Sequence, residues 1–262
     1  MTRRTLAVII PTLGQSPLLE GICRWVETQD VDQRILCGTP PNQGYEDWER
    51  EETPAGFGVA ANGGAVVAKT TYLLFLNDDV EVLQGEIQDW ITALEEREEL
   101  FAIVPQLMGP EGEEGGMGFI RKRGRPWPRP QLRPLPGLSA YPTGAAFLVR
   151  RDKWEELGGF SGDFHPAYWE DADLGLRAWK KGWATWQTGE IHLYHHRGTT
   201  TSTWNKSVLT GRFLRGQRRF AARHAQALGL PWWWWGSELL SQGKDFATGK
   251  WRRLMIRWGW LE

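Results

Sequence analysis

Leu73-Leu74-Phe75-Leu76-Asn77-Asp78-Asp79 is an apolar run that stops on two adjacent carboxylates. A segment apolar at every position reads as a strand covered on both faces, as in a parallel sheet. Its acids then sit at the carboxyl edge, where open α/β sheets bind ligands. Hard oxygen ligands at such an edge suit Mg²⁺ or Mn²⁺ holding a diphosphate. A second acidic cluster, Tyr168-Trp169-Glu170-Asp171-Ala172-Asp173-Leu174, opens a helix and can supply the base that activates a nucleophile. Together the two stretches imply metal-assisted group transfer from a nucleotide donor.

Working outward, residues 6–10, 35–37, 72–76 and 101–106 read as strands. Helices are expected over 18–28 and 58–68, and where Ile87, Trp90, Ile91 and Leu94 recur at helical spacing. This alternation predicts an α/β fold with a mostly parallel central sheet flanked by helices. Residues 109–138, rich in glycine, proline and arginine, are expected to form a long irregular segment. Beyond it come a strand over 145–149, a short helix over 153–157 capped by Asp152, and a helix over 170–181 stopped by Gly182. Two short strands near 184–186 and 191–194 follow, and from Trp204 the chain reads as helices, the first reaching about Leu228.

The net charge of −1 over 262 residues gives no reason to expect nucleic acid as a partner. Cys23 and Cys37 have no metal-binding spacing and fit a reduced, cytoplasmic protein. The apolar run before Pro11 is too short for a signal peptide, and no stretch is long enough to span a bilayer. Charge is unevenly placed, with 11 Lys or Arg against three acids from Lys206 to Glu262. Eight of the 17 tryptophans also lie at or beyond Trp204. Such a tail suits peripheral contact with an anionic membrane at its inner face, although packing of these tryptophans as ordinary core is the alternative.

Each acidic cluster has a plainer reading. Asn77-Asp78-Asp79 could be a turn with a helix cap, and Glu170-Asp171 could simply favour a helix start. Tyr168 and Trp169 offer flat faces to a sugar, or ordinary core packing. Ile191-His192-Leu193-Tyr194-His195-His196 concentrates three of the five histidines, which are metal ligands or structural groups.

The motifs and their order resemble the family 2 glycosyltransferases of the GT-A fold, in particular the rhamnosyltransferase-like branch. The matches begin with Val8-Ile9-Ile10-Pro11-Thr12, Gly56-Phe57-Gly58, Ala61-Asn62-Gly63-Gly64 and Leu74 through Asp79. They continue through Thr143-Gly144-Ala145, Gly158-Gly159-Phe160, Trp169 through Arg177, and His195-His196-Arg197-Gly198-Thr199. The resemblance implies an inverting, metal-dependent glycosyltransferase with Mn²⁺ or Mg²⁺ as cofactor. Its donor would be a dTDP-, UDP- or GDP-linked sugar and its acceptor a glycan or a lipid-linked sugar. Asp79 would bind the metal with His195, or His196 in its place, and Asp171 would be the base. Pro11, Thr12, Asn62, Asn77 and Asp78 would hold the nucleotide, and Gly144, Trp169 and Glu170 the substrate.

It further implies a catalytic domain over 1–203, divided near residue 105 into nucleotide-binding and acceptor halves, and a basic helical extension over 204–262. After the second strand the family usually carries an acidic or Asp-Asn pair. Cys37-Gly38-Thr39-Pro40-Pro41-Asn42 stands there instead, so the resemblance does not extend to base recognition. The rival class, a sugar nucleotidyltransferase, would want a basic phosphate loop after the first strand, and Pro11 to Ser16 contains no basic residue. A binding protein that kept the fold and lost activity is the non-enzymatic alternative.

Overall fold

The computed structural model describes residues 4–53, 56–110, 112–114, 117–122, 125–130, 136–197 and 205–230. The segment 198–204 and the tryptophan-rich stretch 231–262 lie outside the described residues, and so does the membrane-contact expectation. Among the described residues no helix is long and apolar enough to cross a membrane.

The chain runs β1 (Leu6–Thr12), α1 (Leu19–Glu27), β2 (Gln33–Gly38), β3 (Glu49–Glu52), α2 (Phe57–Val67), β4 (Tyr72–Leu76), β5 (Val80–Gln84) and α3 (Ile87–Glu95). It continues through β6 (Leu100–Gly109), β7 (Gly112–Glu114), β8 (Met117–Lys122), β9 (Arg125–Pro130), β10 (Gly137–Ser139), β11 (Ala146–Arg150) and α4 (Arg151–Leu157). Then come α5 (Glu170–Lys180), β12 (Ala184–His195) and α6 (Lys206–Arg223). The sheet order is β10-β12-β6-β11-β4-β1-β2-β3, with β5 added to β12 and β7 to β6. Strands β3, β2, β1, β4, β6 and β12 all point one way, and β11 is inserted antiparallel between β4 and β6.

Strand alternation explains why the central runs are apolar throughout. In β1, Leu6, Val8 and Ile10 face a core completed by Leu19, Ile22 and Val26 of α1 and by Trp90 and Leu94 of α3. Ala7 and Ile9 face the opposite core, with Ala60, Ala61 and Ala65 of α2 and Leu174 of α5. In β4 the same split places Leu74 and Leu76 on one side, Leu73 and Phe75 on the other. The small residues of α2 let it approach the sheet closely. A Cβ on Gly64 would lie 2.5 Å from Ile9 Cγ2 and 3.1 Å from Cys37 Sγ.

Four local expectations are corrected. The segment 109–138 is not simply irregular, since it holds β7, the β8–β9 hairpin and β10. Pro126, Pro128 and Pro130 alternate along β9, so the positions lacking N–H fall on one edge of that strand. The two short strands expected near 184–186 and 191–194 are one strand, β12, irregular between Gln187 and His192. Asp152 does not cap α4, whose N-cap is Arg150. Inside the first turn its Oδ1 accepts the Lys153 N–H at 2.8 Å, and its Oδ2 pairs with the Arg150 guanidinium at 2.7 Å. Helix α6 ends at Arg223 and turns follow it, short of Leu228.

Candidate active site

Asn77, Asp78 and Asp79 follow β4 directly, at the carboxyl edge of the sheet. Thr12, the last residue of β1, donates its hydroxyl to Asp78 Oδ2 at 2.6 Å. Its Oγ1 also accepts the Gly14 N–H at 2.9 Å. Ser16 Oγ donates to the Asp78 carbonyl at 2.7 Å. Burial pushes the Asp78 carboxyl up to about 6, against the hydrogen bond from Thr12. One carboxylate is thereby fixed, and the next is left to face the cavity.

Strand β5 decides what that second carboxylate meets. It pairs antiparallel with the end of β12, setting Val80 opposite His195. His195 Nε2 then stands 3.2 Å from Asp79 Oδ1. The His196 N–H donates to the Asp79 carbonyl at 3.0 Å, while the His196 ring turns to Glu81 Oε2 at 3.3 Å. An imidazole nitrogen and a buried carboxylate oxygen at this spacing match two neighbouring ligands of one small divalent cation. Among the described residues no third His, Cys, Asp or Glu completes a protein-only cluster. A cation here would complete its shell with donor phosphate oxygens and water, the usual habit of Mg²⁺ at phosphate sites.

The second acidic cluster is aimed by backbone strain. Tyr168 and Trp169 are consecutive non-glycine residues with φ of 79° and 80°, in the left-handed region. Each such conformation costs roughly 1–3 kcal/mol and persists only where the surroundings hold it. Trp169 is held by ring contacts to Phe213 and Phe220 at 5.3 and 5.0 Å. It is buried and only borders the cavity, so of the aromatic pair Tyr168 presents more surface. The turn delivers Glu170 and Asp171 into the first turn of α5.

Asp171 Oδ1 accepts the Ala172 N–H at 2.7 Å, and Oδ2 accepts the Gly144 N–H at 3.3 Å. Burial outweighs these donors and pushes its carboxyl up to about 6. Glu170 is held well above the ordinary range by burial and then by the Asp171 charge. Asp173 points away into a different network. It accepts from Arg177 Nε at 2.7 Å and lies 2.8 Å from His224 Nε2.

These groups share one cavity of about 1080 Å³. Pro11, Thr12, Asn77, Asp78, Asp79, Gly144, Trp169, Glu170, Asp171 and His195 all line it. Asn62 does not belong to the wall. Its Nδ2 donates to the Phe160 carbonyl at 2.8 Å and its Oδ1 accepts the Phe160 N–H at 2.9 Å, so it ties α2 to the loop after α4. Sequence reasoning missed Tyr141, Trp127, Arg197, Arg212 and Arg215, which also line the cavity. For the two arginines of α6 a signal existed, because no Asp or Glu occurs between Asn205 and Leu230.

No family model matches the chain. It is 29% identical over 160 residues to the O-antigen biosynthesis protein RfbC of Myxococcus xanthus, a match covering 56% of this chain and 12% of that protein. It is 27% identical over 187 residues to the N-acetylglucosaminyl-diphospho-decaprenol L-rhamnosyltransferase of Mycobacterium tuberculosis, covering 62% of this chain and 57% of that one. The chain therefore spans less than two thirds of the length of either relative. Among solved structures, GalNAc-T7 with UDP, GalNAc and Mn²⁺ superposes with a TM-score of 0.64 at 15% identity, over 84% of this chain and 48% of that one. The chain has the GT-A fold and is similar in sequence to RfbC and to the L-rhamnosyltransferase.

Proposed function

We propose that this chain transfers a sugar from a nucleoside-diphosphate donor to a hydroxyl of a glycan or lipid-linked acceptor, with inversion at the anomeric carbon. The observation that carries the reading is the sharing of one cavity by the Asp79–His195 pair and the Asp171 carboxylate. Asp79 and His195 would hold the divalent cation and, through it, the donor diphosphate. Bound there, the cation supplies positive charge against the negative charge that develops on the leaving phosphate. The solved neighbour that carries Mn²⁺ and UDP supports this reading by its fold.

Asp171 does the proton chemistry. Two backbone N–H groups fix its carboxylate, and its position on the cavity wall lets it accept the acceptor hydroxyl's proton as that oxygen attacks. A base so placed contributes roughly 10²–10⁴ in rate. Its carboxyl is raised to about 6, so it is ionised and competent above that pH. One displacement without a covalent sugar–enzyme stage inverts the configuration.

The test uses Asp171→Asn, in which the amide oxygen can still accept a backbone N–H. Transfer should fall about 10²–10⁴-fold while nucleoside-diphosphate binding stays near wild type. Isotope-labelled product of the wild type should carry the inverted linkage. A fully active Asn variant, or a retained configuration, would sink the assignment.

A further inference from the structure

The segment that leads into β11 lies along one face of α5. Asp171, Gly175 and Trp179 are four residues apart on that helix, so they share the face. Each meets a different part of the segment. Asp171 Oδ2 accepts the Gly144 N–H at 3.3 Å, and Trp179 Nε1 donates to the Ala140 carbonyl at 3.1 Å. Between them Gly175 admits Tyr141, since a Cβ there would lie 2.2 Å from Tyr141 Cβ and 2.5 Å from its Cα. Tyr141 is therefore seated one helical turn from Asp171, on the same side of α5.

The remaining contacts of Tyr141 fix its backbone and ring but not its hydroxyl. Its carbonyl accepts Ser139 Oγ at 2.8 Å, and the neighbouring Ala140 N–H donates to the Met117 carbonyl at 2.7 Å. Its ring packs at 5.3 Å on Phe119. The residue is only 4% exposed, and it lines the cavity. Buried tyrosine hydroxyls ordinarily find a partner, yet this one makes no hydrogen bond among the described residues. Burial and then the Asp171 charge hold the phenol well above its ordinary range, with Arg197 acting the other way. The group stays protonated and lies within electrostatic reach of both Asp171 and Arg197. Arg197 lines the same cavity, two residues after His195.

A sugar undergoing transfer has to lie between the pair that holds its diphosphate and the base that takes the acceptor's proton. Its hydroxyls are neutral, and a phenol can donate to one and accept from another. We infer that Tyr141 is a further substrate-binding residue, whose hydroxyl hydrogen-bonds a hydroxyl of the sugar being transferred. The inference rests on the glycosyltransferase reading and adds a residue that reads the donor's sugar rather than its nucleotide. A buried group of this kind discriminates against sugars that lack the matching hydroxyl.

Tyr141→Phe in the full chain keeps the ring on Phe119 and removes only the hydroxyl. Because that hydroxyl bonds no other described residue, the variant should melt at or above wild type. Calorimetry with Mn²⁺ compares UDP, dTDP and GDP with UDP-glucose, dTDP-glucose and GDP-mannose, and hydrolysis of the three sugar donors is followed alongside. The Phe variant should bind the bare nucleoside diphosphates as wild type does. Its kcat/KM for hydrolysis of the preferred donor should fall about three- to tenfold, and its affinity for that donor relative to the bare diphosphate should fall with it. A Phe variant with wild-type kcat/KM and wild-type donor affinity overturns the inference. A variant that loses bare diphosphate to the same degree also overturns it, by assigning the hydroxyl to the phosphates. So does a variant that melts well below wild type, because the hydroxyl then serves the fold. Failure of the transferase reading looks different, since wild type itself would hydrolyse none of the donors, and the inference would fall with it.

Discussion

At Asp171 the requirements of chemistry and of folding oppose each other. A carboxyl raised to about 6 by burial is a stronger base than an exposed aspartate, and it is a burden on the fold once ionised. Linkage gives the sign. A folded value above the unfolded one means a stability contribution that is complete below the ordinary value of 3.8 and lost as pH rises through about 6. Asp171→Asn gives up one of the two backbone N–H bonds at every pH, so the expected signature is a trend: wild type should lose stability relative to the Asn variant as pH rises from about 4 to about 8. Thermal melts across that range check it, and a wild-type-minus-Asn difference that is flat with pH or grows toward pH 8 would contradict the burial argument. Glu170, buried next to it, adds to the same cost and moves with it. Asp173 shows the opposite balance. Burial pushes it upward, but the bond from His224 and the charge of Arg177 outweigh burial and hold it below the ordinary value. Its contribution is intact at neutral pH and is lost only in acid below about 4.

Among the elements, α6 depends on two kinds of contact with α5 and the turn before it. One is the network around the buried Asp173 and His224, which Arg177 and the exposed Arg223 join, with Lys180 Nζ 2.9 Å from His224 Nδ1. The other is the close approach at Gly216. Gly216→Ala adds a methyl where no space exists, and either α6 or the Tyr168–Trp169 turn has to move. A loss of about 1–3 kcal/mol is expected, despite alanine's better helix propensity. Urea unfolding measures the loss, and hydrogen exchange should show α6 opening before the central strands. If the Ala variant is as stable as wild type, α6 does not pack against that turn as described. The β5 strand matters at the same scale. It is short and partly exposed, yet its pairing with β12 brings the second metal candidate to the first.

Taken whole, the molecule joins the ends of β4 and β12, which lie far apart in the chain, at one edge of one sheet. Asp79→Ala and His195→Ala should each weaken Mn²⁺-dependent binding of a nucleoside diphosphate by about tenfold or more, because each removes one ligand of the same ion. Calorimetry with and without Mn²⁺ checks this. Metal-independent binding by wild type would show the pair to be structural.

The sequence by itself determined the sheet and its carboxyl edge. Residues 6–10 and 72–76 are apolar at every position and too short for a helix, which fits a strand covered on both faces. The same reading put Asp79 at the strand end and Asp171 in the first turn of a helix, since local preference and chemistry agreed there. Tertiary structure alone decided the rest. His195 meets Asp79 through β5, whose alternation is too weak to announce a strand before its partner is known. Asn62 resembled a ligand in the linear motif, but both ends of its amide satisfy Phe160, a contact no spacing reveals. Arg212 and Arg215 look like solvated charge on a basic helix until Gly216 brings that helix against the Trp169 turn. Burial pattern is local and therefore legible in sequence. Convergence of distant segments depends on long-range pairing and packing, and only the folded chain shows it.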